Sequence, residues 1–298
     1  TCTMENPLSI HYRDKSDTEL IIAALEGSMA SLEALLARHR NFIYNIALKM
    51  VADVNDAEDI TQEVLIKVIT KLSQFKRESN FRTWLYRITF NHFLEMKRYG
   101  RELATVSFEE AGNSLDNIPD HPLSAMEELE WKTAIEETKL TCMHGMLLCL
   151  DREQRLIFIL SEIFNVNHTI GAEMLEVSKD NYRQKLSRAR KDLFRFMQQK
   201  CGLVNQSNPC RCATKTRGFV QAGKVDPLRL QFNSGYLRDI ESVAETKIEE
   251  LENVLQENYA ALFRKHPFQE KEGKLQLMQK LVNESAIHSL IHFDASKR

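Results

Sequence analysis

The sequence predicts an all-α protein: two helical domains joined by an acidic linker, followed by a helical extension. Three observations point there. Apolar residues recur at three- and four-residue steps through most of the chain, the period of a helix with one buried face. Ser followed three residues later by Glu, at Ser16–Glu19 and Ser124–Glu127, marks helix starts. Charge is also segregated: ten Asp or Glu against two Lys from Glu102 to Leu140, but eight Lys or Arg against three acids from Glu176 to Lys200. The net charge of −2 therefore conceals basic segments suited to phosphate. At 298 residues, 43% of them hydrophobic, the chain can form two or three small domains. No apolar run reaches the roughly 18 residues of a membrane helix, and the first residues show no signal-peptide pattern. A cytoplasmic protein with no membrane partner is expected.

The first domain is expected over residues 1–101. Ser16 opens a short helix through Leu25, which Gly27 ends. A longer helix carries Leu32, Leu35, Leu36, His39, Phe42, Ile43, Ile46 and Met50 on one stripe. With no His or Cys at ligand spacing, His39 reads as a core-edge residue. The next helix begins acidic, with Asp56, Glu58, Asp59 and Glu63 in its leading turns, where carboxylates favour the helix dipole. After the polar turn Lys76–Asn80 comes a basic, aromatic helix from Phe81 to Arg98, holding Arg82, Trp84, Tyr86, Arg87, Phe90, Asn91, Phe93, Lys97 and Arg98. From Lys71 to Arg101 there are eight Lys or Arg against two Glu. Basic charge neutralises phosphate and aromatic faces stack on unpaired bases, so this pairing suits opened DNA. Trp84 either stacks on DNA or packs in the helical core, and Ser79 or Asn80 can simply cap the helix.

Residues 102–123 read as a linker: acidic, weakly periodic and interrupted by Gly112, Pro119 and Pro122. It is either a solvated tether or an anionic strand that imitates phosphate. The second domain is expected over 124–200. Its last part reads as helix, tight turn, helix, and the second helix holds Lys179, Asn181, Arg183, Gln184, Ser187, Arg188 and Arg190. A helix-turn-helix places such side chains in the major groove, where Arg pairs with guanine and Gln with adenine. Arg188 and Arg190 can equally hold phosphate, which positions without specifying.

DAEDITQEVLIKV followed by FRTWLYRI resembles region two of the ECF (extracytoplasmic-function) sigma factors of bacterial RNA polymerase, and residues 147–199 resemble their region four. The resemblance implies a non-enzymatic protein that binds core RNA polymerase through Asp56, Glu58, Asp59 and Glu63. It implies that Arg77, Ser79, Asn80, Arg82, Trp84, Arg87, Asn91, Lys97 and Arg98 hold the melted downstream promoter element. The recognition helix would read the upstream duplex, and the linker would thread toward the polymerase channels. An anti-sigma factor is a further partner of this kind of protein. Two departures bear on sequence preference: Gly171 stands where an aliphatic core residue is usual, and Glu176 replaces the customary turn glycine.

Residues 201–298 lie outside the resemblance. Cys201, Cys210 and Cys212 sit in a loop rich in Asn, Pro and Gly. They could bind zinc with a fourth ligand such as His266, although no cofactor is required by the main reading. Alternatively Arg211, Lys215 and Arg217 favour thiolates for a redox role, or the cysteines are ordinary. The tail from Asp239 to Arg298 has helical periodicity, interrupted at His266-Pro267. A stand-alone helix-turn-helix regulator, and a metal or redox sensor built on the three cysteines, remain the alternatives. No nucleophile–base pair, phosphate loop or metal carboxylate pair argues for an enzyme.

Overall fold

The computed structural model describes residues 15–75, 80–95 and 106–232. The expectations for Arg77, Ser79, Lys97, Arg98, His266 and the tail from 239 onward lie outside them. The described residues form eleven α-helices and no strand beyond one isolated bridge between Cys201 and Cys210.

Helices α1 (Lys15–Leu25), α2 (Met29–Val51), α3 (Val54–Lys71) and α4 (Phe81–Glu95) make the first bundle. Its boundaries follow from local chemistry. The Ser28 side chain accepts the Ser31 amide at the start of α2, and the Asp53 carboxylate accepts the Asn55 and Asp56 amides at the start of α3. Ala52, in the left-handed region at φ 55°, separates the two helices. Leu35, Ile43, Ile46, Val64, Val68, Leu85 and Phe90 fill the bundle. Each such side chain contributes roughly 1.5–3 kcal/mol through burial.

Helix α1 begins at Lys15, so Ser16 lies inside it, and Asp17 turns inward instead. Its carboxylate accepts from Arg38 at 2.5 Å and lies 3.2 Å from the His39 ring, whose other nitrogen lies 3.2 Å from the Tyr86 hydroxyl. Burial pushes the Asp17 carboxyl up, but the bonds and charges from His39 and Arg38 outweigh it and hold it low. His39 is therefore fully buried, deeper than the core edge expected for it.

The linker is more ordered than its composition suggests. Helix α5 (Phe108–Asp116) starts with a complete capping box between Ser107 and Glu110. A second box, Ser124 with Glu127, starts α6 (Ala125–Glu130); after a break at Trp131, α7 runs over Lys132–Leu148. Helix α8 (Arg152–Phe158) continues through one π turn, Ile159–Ile163. Then α9 (His168–Met174) and α10 (Lys179–Lys200) form the helix-turn-helix, and α11 (Cys212–Gln221) lies against α7.

The two expected domains share one continuous apolar core. The rings of Phe42 in α2 and Phe164 after α8 lie 4.7 Å apart. Arg155, buried, donates to the carbonyls of Leu147, Leu148 and Leu150 and, at 2.5 Å, to that of Met50. One guanidinium thus satisfies carbonyls at the C-terminal ends of both α2 and α7, where cationic donors are favoured. Nothing in the local pattern of LDREQRL marks Arg155 for this role. Its partner Met50 lies 105 residues away in sequence.

Candidate polymerase and nucleic-acid interfaces

The acidic end of α3 divides by burial. Asp56 and Asp59 are exposed and Glu63 is half-buried beside His92. The crowding of Asp56 by burial and by the Asp53 and Asp59 charges raises its pKa. Glu58 differs from the other three: it is buried, and its carboxylate accepts from Arg40 at 3.1 Å. It ties α3 to α2, so the open acidic surface consists of Asp56, Asp59 and the edge of Glu63.

In α4 the expected DNA-facing residues also separate. Asn80 is exposed, Asn91 half-buried, and Arg82 buried. Trp84 is half-buried and sits 5.4 Å from Phe75 and 5.6 Å from Phe81, in an aromatic group that closes the turn between α3 and α4. Packing accounts for one side of its indole. The Arg87 guanidinium points to the helix-turn-helix, with Nε 3.3 Å from the Glu176 carboxylate.

Helix α10 presents two faces. Tyr182, Leu186, Ala189, Leu193, Phe196 and Met197 are buried, while Lys179, Asn181, Arg183, Gln184, Ser187 and Arg188 are exposed. Ser178 caps its start through the Asn181 amide, leaving the exposed row beginning in the first turn. Arg190 departs from the expectation of a free basic group. Its Nε and Nη2 both donate to one carboxylate oxygen of the buried Glu162, so that Arg190, itself exposed, braces α10 against the π turn. Glu176 holds the turn at φ 55°, the left-handed conformation that glycine would adopt without strain.

Cys201, Cys210 and Cys212 are half-buried free thiols. Among the described residues, no group of three or more His, Cys, Asp or Glu side chains is arranged to hold a metal ion. Burial pushes all three thiols up, Cys212 to about 12. Burial outweighs the lowering by Arg211 at Cys201 and by Lys215 and Arg211 at Cys210, and the basic side chains also have partners of their own. Arg211 donates to the carbonyls of Gln206 and Asn208, Lys215 to that of Ile118, and Arg217 to Glu127. No helix among the described residues is long and apolar enough to cross a membrane.

Two family descriptions match the chain: Sigma-70 region 2 over residues 35–102 and Sigma-70, region 4 over residues 140–193. The first runs from within α2 through α4 and the second from the middle of α7 into α10. The chain is 25% identical over 188 residues to the RNA polymerase sigma-H factor of Pseudomonas aeruginosa, covering 62% of this chain and 95% of the relative. It is 26% identical over 184 residues to the ECF RNA polymerase sigma factor SigE of Mycolicibacterium smegmatis, covering 61% and 67%. A solved structure of CnrH in complex with the cytosolic domain of CnrY is 21% identical, with a TM-score of 0.44, over 61% of this chain and 97% of that one. With both sigma modules present in order and on the matching helices, the chain belongs to the sigma-70 family as an ECF sigma factor, which binds core RNA polymerase and directs promoter recognition and transcription initiation.

Proposed function

We propose that the exposed carboxylates of α3, Asp56 and Asp59 with the edge of Glu63, dock this sigma factor on core polymerase. The exposed row of α10, Lys179, Asn181, Arg183, Gln184, Ser187 and Arg188, enters the major groove of the upstream promoter duplex. Asn80, Asn91 and the open face of Trp84, together with Arg77, Ser79, Lys97 and Arg98, hold the melted downstream element. Arg87 joins them once it leaves Glu176. The protein performs no catalysis itself and acts in the cytoplasm beside the polymerase.

The observation that carries this reading is the division of α10. One face is buried by Tyr182, Leu186, Ala189 and Leu193, and the opposite face, rich in Lys, Arg and Gln, starts directly after a tight turn. A solvated helix needs no such concentration of base-reading side chains in its first turns. The deciding experiment is run-off transcription with core bacterial polymerase and a pool of promoters from the source genome. Transcripts that require the protein, and that weaken when Gln184 and Arg188 are both changed to Ala, support the assignment. Equal transcription by wild type and the double variant sinks the role of α10.

A further inference from the structure

The acidic linker has a basic counterpart in the same chain. Residues 201–232 carry five Lys or Arg, namely Arg211, Lys215, Arg217, Lys224 and Arg229, against one acid, Asp226. The fold brings the two together. Lys215, buried, donates to the Ile118 carbonyl at 2.5 Å and lies 3.1 Å from Asp120. Arg217 donates to Glu127 at 2.7 Å with its guanidinium 5.3 Å from the centre of the Trp131 ring. The main chain takes part as well: the His121 amide donates to the Thr214 carbonyl at 2.8 Å, and the Thr214 hydroxyl donates to Asp120.

Close packing singles out this contact from a chance meeting of charges. A Cβ on Gly218 would lie 2.6 Å from both Ile118 Cγ2 and the Pro119 carbonyl oxygen, so α11 rests on the linker at a distance that only glycine permits. Ile118, Phe219 and Val225 form a small buried cluster of their own, apart from the main core. Farther on, the amides of Gln231 and Phe232 donate to Glu137 at 2.6 and 2.9 Å, and the Phe232 ring stacks 4.2 Å from His144.

We infer that residues 201–232 are an internal ligand of the linker, a strap that keeps the two sigma modules in the closed arrangement until it is released. The inference rests on the promoter-reading roles proposed above. In the closed arrangement α4 packs against α8 and α9, and Arg87 is turned toward Glu176 rather than outward. The linker connects the modules, so its length limits how far they separate. Residues 117–123, the part of the linker beyond α5, span up to about 24 Å when extended. By holding Ile118 to His121 and Glu127, the strap withholds that length. Its exposed ion pairs contribute little individually. The hold comes from buried Lys215, the main-chain bonds and the Gly218 contact.

The test uses the full chain and two variants, Gly218→Val, which wedges α11 away, and Lys215→Met, which removes the bond to Ile118 while keeping an apolar stem. Amide hydrogen exchange of residues 117–122 and run-off transcription with core polymerase are measured on each. In both variants we expect exchange in 117–122 to quicken about tenfold, with the amides of Ile43–Leu48 unchanged. Transcript yield at limiting protein should rise about threefold as the closed state loses population. Faster exchange with no gain in transcript would make the strap a scaffold and overturn the inference, as would unchanged exchange in both variants. If exchange quickens but neither wild type nor variants support any transcript, the linker contact stands and the promoter-reading roles fail, taking the opening step with them.

Discussion

Gly171 and Tyr182 occupy one space in the helix-turn-helix. A Cβ built on Gly171 would lie 2.5 Å from the Tyr182 hydroxyl oxygen and 2.6 Å from the ring carbon that bears it. That hydroxyl is 2.7 Å from the Ser161 hydroxyl, which fixes the ring beneath α9. The glycine in α9 thus leaves open the space that the tyrosine at the start of α10 fills.

Gly171→Ala should consequently destabilise the protein although alanine is the better helix former by about 1 kcal/mol. The overpacking against Tyr182 costs about 1–3 kcal/mol and outweighs the gain. Adding Tyr182→Leu to the alanine variant should recover part of the loss, and urea unfolding of the four proteins in the cycle measures the coupling. Additive effects would refute the shared-space account.

Lys49 gives a prediction about pH. It is buried in α2, 5.5 Å from the centre of the Phe164 ring, and burial lowers its pKa from the ordinary 10.5 to about 7. Between those values the unfolded chain holds more protons than the folded one, so this group makes stability rise with pH across that window. Below pH 7 the cost of the buried charge is fully present. Lys49→Met should therefore raise Tm at pH 6, by about 1–3 kcal/mol in free energy, and the advantage should shrink by pH 9. A difference between the two proteins that does not change with pH would contradict the buried-ammonium account.

The four carboxylates of α3 should not respond alike. Asp59→Lys is expected to weaken binding to core polymerase by about 1–3 kcal/mol, as an exposed interface charge does, with little change in Tm. Glu58→Lys places a second cation beside Arg40 in a buried site and should lower stability by about 3–5 kcal/mol. Thermal melts and a polymerase binding titration separate the two effects. A melt of the Asp59 variant as low as that of the Glu58 variant would count against the division.

Arg188 and Arg190, two residues apart, should likewise part company. Arg188→Ala is expected to cost about 1–3 kcal/mol in upstream-element binding if it reads a base, with an unchanged melt. Arg190→Ala removes the guanidinium from the buried Glu162 and should lower stability by about 1–3 kcal/mol. Fluorescence anisotropy with promoter duplex, beside a urea curve for each variant, distinguishes them. Equal loss of DNA affinity with equal stability would return Arg190 to the DNA-facing group.

Local signals in the sequence sufficed for the all-α class, the order of the two modules, and the start of α6 at Ser124. They sufficed too for the exposed basic row of α10, because helical periodicity and capping depend only on residues within a few positions of one another. The resemblance to ECF sigma region four marked Gly171 and Glu176 as departures, without saying what compensates them. Tertiary structure decided the rest. Whether Glu58 docks or pairs depends on Arg40, whether Arg190 faces DNA depends on Glu162, and whether residues 106–123 form a tether depends on Gly218 and Lys215 of the extension. Each partner lies eighteen or more residues away. Burial and long-range pairing are properties of surfaces brought together by folding, and the one-dimensional pattern of charge and hydropathy contains no measure of them.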